Sequence, residues 1–341
     1  MKAVVLREHG GVEVLRIEQI APPRPGHGEI LIRLHAAAVN HFDHDIREGT
    51  SRIAHPWPHI PGVEGAGEVV ELGAGVTRVA VGDRVIPYNP FCGTCRPCLA
   101  GLENLCLRGI KLGVNAWGTY AQFIRVGQDH VVPIPPGLPM EVAAAAPTCF
   151  GTAWQMAVTL GRIGAGQDVL VNAAGSGVGS SAIQIARLHG ARVIATAGSD
   201  AKLERALALG ADGVINYERQ PLAQEVLRLT DGKGADLVIE SVGGRVLAES
   251  LEAVAVGGRL VTCGAHAGET VPLDVVSLFR RQITVQGNHY APRREIAHVL
   301  RLVAAGRLRP VLHATYPLDA VQQAARATAD RSLFGKLVLL P

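Results

Sequence analysis

Asp168-Val-Leu-Val-Asn172 and the adjoining Ala173-Ala-Gly-Ser-Gly-Val-Gly-Ser180 decide the fold. The short apolar run reads as a buried strand, and the small residues after it read as a tight turn opening a helix. A helix N-terminus offers unpaired N–H groups and the positive end of a dipole, so such a turn suits a pyrophosphate. The pattern is not an ideal G-x-G-x-x-G, because Ala174 and Ser176 fill the first two glycine places. Gly175, Ser176, Gly177, Val178 and Gly179 form the candidate phosphate cradle. Alone the turn is weak, since tight strand–helix packing uses the same residues. The strands and helices after it remove most of that ambiguity. Strands at Arg192–Thr196, Gly213–Asn216, Asp236–Glu240, Arg259–Cys263 and Ile283–Gly287 are separated by helical patterns at 201–209, 221–229 and 245–254, after a first helix at 178–189. Six strands so arranged predict parallel βαβ units in a doubly wound sheet.

Working outward, the first 125 residues read as strands, at Val12–Ile17, Glu29–Ala38 and Gly67–Leu72. The tail returns to a mixed pattern, with a helix near 294–305 and a strand at Lys336–Leu340. A β-rich domain interrupted by a dinucleotide-type domain is the simplest arrangement, and 341 residues suit two domains. Apolar residues at 48% against 18% charged exclude a disordered chain. A net charge of +3 without a basic block gives no polyanion-binding surface, so no nucleic acid partner is expected. No apolar window reaches the ~18 residues of a membrane span. Met1–Arg7 lacks a long apolar core, and a cytoplasmic location is expected.

The strand after the glycine turn ends Ala197-Gly198-Ser199, where an NAD-preferring site places an acid on the ribose. Its absence leaves room for the added phosphate of NADP, with Lys202 and Tyr217 as partners; NAD stays open as the other coenzyme. Asp200 is the contrary sign, and it reads as a helix N-cap.

Cys92-Gly-Thr-Cys95-Arg-Pro-Cys98 and Cys106 carry a second chemistry. Four soft thiolates at this spacing can close a tetrahedral shell around zinc, and a closed shell is structural because no position stays open. One structural zinc ion per chain is therefore expected.

These residues resemble the zinc-type medium-chain dehydrogenase/reductase superfamily over nearly the whole chain. Gly62-Val63-Glu64-Gly65-Ala66-Gly67, with Gly73 and Val76, is similar to its GHE-x2-G-x5-G-x2-V signature, with valine for histidine. Val81-Gly82-Asp83-Arg84-Val85 matches its GD-x-V turn. The stretch Gly166 to Arg187, with Gln184, resembles the quinone oxidoreductase branch, departing at Ser176. The resemblance implies an α/β fold: a GroES-like β-rich catalytic domain, residues 1–127 and 288–341 with a zinc lobe at about 90–108, and a Rossmann coenzyme domain, residues 128–287.

In the alcohol dehydrogenase branch Cys, His and Cys hold a catalytic zinc. Those positions fall here at Asn40, Val63, and Thr148 or its neighbour Cys149. Valine cannot coordinate a metal and asparagine is a poor zinc ligand. The resemblance therefore implies an NADPH-dependent reductase of activated alkenes, quinones or carbonyls without catalytic zinc, its substrate held between the two domains. Asn40 is the expected donor to the substrate, Thr148 and Cys149 line the site, His41 relays a proton, and Asp43 holds buried hydrogen bonds. Thr152 and Lys336 complete the coenzyme set of Gly175–Gly179, Ala197, Ser199, Lys202 and Tyr217. His44, His55 and His59 read as solvated loop histidines, with His59 and Trp57 at the substrate mouth as the other reading. One alternative is a zinc-dependent alcohol dehydrogenase using His41, Glu64 and Cys149, each one step past a lost ligand. Another is a non-catalytic NADPH-binding protein. The subunits are expected to form a homodimer or homotetramer, pairing through the edge strand at Gln282–Gly287.

Overall fold

The computed structural model describes residues 1–330 and 332–341. The chain divides into two compact units. The first comprises Met1–Thr148, Pro292–Gly306 and Leu312–Pro341; the second comprises Cys149–Ala291 and Arg307–Val311.

In chain order, the first unit contributes β1 (Lys2–Val5), β2 (Arg16–Gln19), β3 (Glu29–Ala38), β4 (Gly65–Leu72), β5 (Arg84–Pro87), β6 (Phe123–Gly127) and β7 (Val131–Pro133). The second contributes β8 (Asp168–Val171), β9 (Arg192–Ala197), β10 (Gly213–Asn216), β11 (Ala235–Glu240), β12 (Val254–Thr262) and β13 (Thr284–Gly287). The chain then returns to the first unit for β14 (Leu312–Pro317) and β15 (Lys336–Leu340).

β8 to β13 form one sheet in the order β10-β9-β8-β11-β12-β13, every pair parallel. At its centre is β8. Val169, Leu170 and Val171 have no exposed surface and pair with β9 on one side and β11 on the other. A continuous apolar run suits a strand buried on both faces. The glycine turn leaves β8 at the carboxyl end, where neighbouring connections depart to opposite sides. That is where doubly wound sheets bind ligands.

The first unit is built on β3, whose long apolar run serves three partners. β4 follows one edge, while the other is shared by β6 over 29–33 and by β15 at Ala37 and Ala38. Three placements bear on the site. Asn40 comes just after β3 and starts the helix His41–Glu48. Glu64 directly precedes β4, and Lys336 opens β15.

One strand reading needs correction. The strand expected at Val12–Ile17 begins only at Arg16: Val12–Val14 forms a 3-10 turn after Gly10-Gly11, and the ladder to β1 pairs Arg16 and Ile17 with Val5 and Val4. Two adjacent glycines loosen the backbone there, and the turn takes up the first three residues of the run. Among the described residues, no helix is long and apolar enough to cross a membrane.

Candidate active site and metal centre

The turn after β8 shows why Ser176 replaces glycine. Ser176 is the N-cap of the helix Gly177–Leu188, and its Oγ accepts the Gly179 amide at 2.9 Å. Gly177 and Val178 begin that helix, and first-turn amides have no intrahelical acceptor. These N–H groups suit a phosphate. Ala173 turns the chain with a φ of 51°, in the left-handed region. Gly179 is required by contact: a Cβ there would lie 2.2 Å from the Ala173 carbonyl oxygen. The cradle fits a pyrophosphate.

At the end of β9, Ala197 is buried and the Tyr217 hydroxyl lies 3.2 Å from where a Gly198 Cβ would stand. The Lys202 stem lies over Gly175, its Cδ 2.9 Å from that residue's would-be Cβ. Lys202 thus stands over the glycine turn, and Tyr217 beside the end of β9. Asp200 is not the cap: Ser199 is the N-cap, and Asp200 is the first helical residue. Its Oδ1 accepts from Asn216 at 2.9 Å and from Arg219, and these two donors hold its pKa below the usual carboxylate value.

In the first unit, Asn40, Asp43, Glu64, Tyr120, Thr148 and Lys336 form one polar network. Lys336 Nζ donates to Asn40 Oδ1 and to Glu64 Oε1, each at 2.6 Å. Asn40 Nδ2 donates to Glu64 Oε1 at 2.9 Å and to the Ala38 carbonyl at 3.2 Å. Both amide hydrogens are thereby committed, so Asn40 fixes this network rather than presenting a donor outward. Glu64 Oε2 accepts the Thr148 amide at 2.8 Å. Lys336, expected among the coenzyme contacts, has its ammonium on Asn40 and Glu64. Cys149 is buried and Thr152 is buried nearby in sequence, both in the second unit. His41 is exposed, its ring 5.7 Å from that of His44.

Asp43 Oδ2 accepts the Asn40 backbone N–H at 2.8 Å and the Tyr120 hydroxyl at 2.7 Å. Burial raises the Asp43 pKa to about 6, although these two bonds and Lys336 act against it. A raised acid pKa means the folded state holds the proton more tightly. Stability from this group is therefore full below the ordinary value of 3.8 and falls as pH rises toward about 6. At pH 7 Tyr120 donates to a carboxylate, worth ~1.5–3 kcal/mol; on a neutral acid the bond is worth ~1 kcal/mol. Tyr120→Phe should accordingly cost ~2 kcal/mol at pH 7 and about half that at pH 4.5. Denaturant titrations at the two pH values check this, and an equal cost at both contradicts it.

The cysteine quartet lies between β5 and β6. Sulfur separations are 3.5 Å for Cys92–Cys106, 3.9 Å for Cys92–Cys98, 3.4 Å for Cys95–Cys98 and 3.8 Å for Cys95–Cys106. Tetrahedral zinc with Zn–S near ~2.3 Å requires edges of ~3.8 Å. Backbone amides point at the sulfurs: Cys95 N–H reaches Cys92 Sγ at 3.3 Å, and Cys92 N–H reaches Cys106 Sγ at 3.3 Å. Amides and Thr94 bring the Cys92 thiol down to about 5, while desolvation and the neighbouring sulfurs push Cys98 up to about 12. Such crowding opposes four thiolates together unless a cation lies among them. The donor set fits structural zinc. Among the described residues, no other group of three or more His, Cys, Asp or Glu lies close enough to hold a metal ion.

Residues 26–136 match the alcohol dehydrogenase GroES-like domain family, and residues 177–305 match the zinc-binding dehydrogenase family. The chain belongs to the zinc-type medium-chain dehydrogenase/reductase superfamily. A solved NAD-dependent alcohol dehydrogenase is 43% identical, each chain fully covered, with a TM-score of 0.95. An alcohol dehydrogenase of Geobacillus stearothermophilus is 31% identical over 341 residues, covering 99% of both chains. The quinone oxidoreductase of Rattus norvegicus is 30% identical over 346 residues, covering 100% of this chain and 98% of its own. As a member of this superfamily, the protein is an NAD(P)-dependent oxidoreductase. The three histidines expected in solvent are not there. His59 is fully buried, with Nε2 3.0 Å from the Gly113 carbonyl oxygen, and burial takes its pKa down to about 4. His55 is half-buried between His59 and Trp57, and His44 Nε2 lies 2.6 Å from Thr328 Oγ1. His55 and Trp57 both set their rings edge-on to His9, 5.0 Å between centroids, while Trp57 stays exposed.

Proposed function

We propose that this superfamily member reduces activated alkenes, quinones or conjugated carbonyls with NADPH, and that it does so without a catalytic zinc. The observation that carries this reading is the donor set around Glu64. Val63 offers no ligand atom, Asn40 has spent its amide, and both Glu64 oxygens are occupied by Lys336, Asn40 and Thr148. These residues do not fit a zinc ion. When bound, the nicotinamide coenzyme supplies the hydride, and the chain's task is to hold and orient. The amides of Gly177 and Val178 serve the pyrophosphate, and Lys202 and Tyr217 the ribose end.

Reduction of a simple ketone concentrates charge on one oxygen, where a metal supplies several kcal/mol. Hydride addition to a conjugated carbon instead spreads that charge into an enolate or a hydroquinone anion. A site without a metal is matched to the second case. Enone and quinone reduction are therefore expected to persist after prolonged chelation that spares the thiolate zinc, with kcat/KM at least ~10-fold higher for NADPH than NADH, ~1.4 kcal/mol of discrimination at the 2′-phosphate. Alcohol oxidation that vanishes on chelation and returns with zinc would favour the ligand set His41, Glu64 and Cys149. A second reading, NAD as coenzyme, draws on the NAD-dependent relative and on Glu218, whose Cγ lies 3.4 Å from where a Gly198 Cβ would stand. Equal affinity for both coenzymes removes the NADPH part alone.

The same reading extends to assembly. β13 ends the sheet order, and Val275, Val276, Phe279 and Val285 beside and along it are exposed. An open apolar edge invites pairing, and a symmetry mate is the partner that matches it. Val285→Lys should turn a sedimenting dimer into a monomer at micromolar concentration; a wild-type monomer contradicts this.

A further inference from the structure

Glu64 and Lys336 form an ion pair shut away from water, with side chains 0% and 6% exposed. Replacing such a pair with apolar groups is often neutral or stabilising, so its presence is not accounted for by stability. Its location is informative. Asn40 stands where the family has a metal ligand and Glu64 adjoins Val63, where it has another. The same ammonium bonds to both Asn40 and Glu64. Asn40 is also tied through its backbone amide to Asp43, so the ammonium is coupled to the start of the helix His41–Glu48.

We propose that Lys336 is the resident cation of this site, a positioning residue that keeps the Glu64 charge compensated where the substrate's negative charge develops. The proposal rests on the reading without catalytic zinc. In a metal site the ion's charge offsets its anionic ligands; here an ammonium does so from β15. Without it, a buried carboxylate faces the enolate or hydroquinone anion formed on hydride transfer. Lys336 also fixes the amide of Asn40 by claiming its carbonyl oxygen, which turns both amide hydrogens toward Ala38 and Glu64. Neither task requires the lysine to touch substrate or coenzyme.

The test compares wild type, Lys336→Met and the charge-balanced double variant Glu64→Gln/Lys336→Met, all assayed for enone reduction after chelation. One unit charge acting across ~6 Å at an effective dielectric of ~20 corresponds to ~100-fold in rate. Lys336→Met should lower kcat by about that factor, with substrate KM and coenzyme dissociation constant each within ~3-fold of wild type. The double variant should recover to within ~10-fold of wild type, because removing the carboxylate removes the need for the cation. Rates are taken per folded enzyme, fixed by the far-ultraviolet spectrum and by tight coenzyme binding. If Lys336→Met fails to fold, the double variant alone decides: near wild-type kcat supports the proposal, and a ~100-fold loss overturns it. A single variant that keeps kcat, or that loses only coenzyme affinity, overturns it as well. Wild-type enzyme that works only with added zinc overturns the metal-free reading instead, and that arm is read before any variant is made.

Discussion

Serine at position 98 is expected to strip zinc from the cysteine quartet and unfold the lobe from Cys92 to Cys106. The four sulfurs stand close to zinc spacing, and beyond the contacts of Arg293 with Glu103 and of Arg294 with the Gly101 carbonyl the lobe has little apolar packing: none of the four cysteines is fully buried, and the short helix Arg96–Leu99 buries no residue. Leu99 and Leu107 are exposed at 75% and 76%, so no apolar core substitutes for the metal. Zinc bound by such ligands contributes on the order of 10 kcal/mol of apparent binding energy in small peptides. Only part of that reaches a chain this large. A loss of ~4 kcal/mol would lower the melting temperature by ~8–16 °C at ~2–4 °C per kcal/mol. Metal analysis should fall from one zinc per chain to near none, and protease should cut within 93–107. A Cys98→Ser protein without metal and with unchanged melting refutes a structural role.

Alanine at position 179 should abolish productive coenzyme binding while leaving the sheet folded. The new Cβ would lie 2.2 Å from the Ala173 oxygen and 3.0 Å from the Ala174 Cα, and both obstacles are backbone. The helix Gly177–Leu188 would have to move away from β8. Ser176 and the first-turn amides would then leave the geometry a pyrophosphate requires. A misplacement of ~1 Å at such a site costs ~100-fold. Fluorescence titration with reduced coenzyme should show at least that loss in affinity, against a modest shift in melting temperature. Near-native affinity would mean that the coenzyme binds elsewhere.

The second unit is legible because its instructions are local. β10 and β15 lie where their apolar runs place them, and each helix between β8 and β12 begins within a residue of its expected start. The quartet is legible for the same reason, with every ligand inside one short segment. Legibility fails where partners are distant. Asn40 looks like an outward donor until Lys336, 296 residues later, claims its carbonyl and turns its amide inward. Tyr120 reaches Asp43 across 77 residues, and no pattern around either residue announces the bond. β14, His-Ala-Thr within a half-exposed ladder, lacks a continuous apolar run. β12 starts at Val254 rather than Arg259, because its register shift accommodates the Gly257-Gly258 pair that reads as a break. The π-helix at Gln155–Leu160 has no sequence signal at all.

The dispersal of the first unit along the chain also sets an order of assembly. The second unit is almost one continuous segment, Cys149–Ala291, and can form its sheet as soon as that segment leaves the ribosome. The first unit must wait for β15, because β3 is incomplete along one edge until then and Glu64 lacks its ammonium, 272 residues ahead. Closing so long a span is slow compared with forming local contacts. A nascent chain therefore passes through a stage at which the nucleotide fold is finished and Glu64 still lacks its counter-charge. Synthesis of β15 then completes the first unit, so a truncated product stopping short of Lys336 would lack both the β15 pairing to β3 and the ammonium on Glu64.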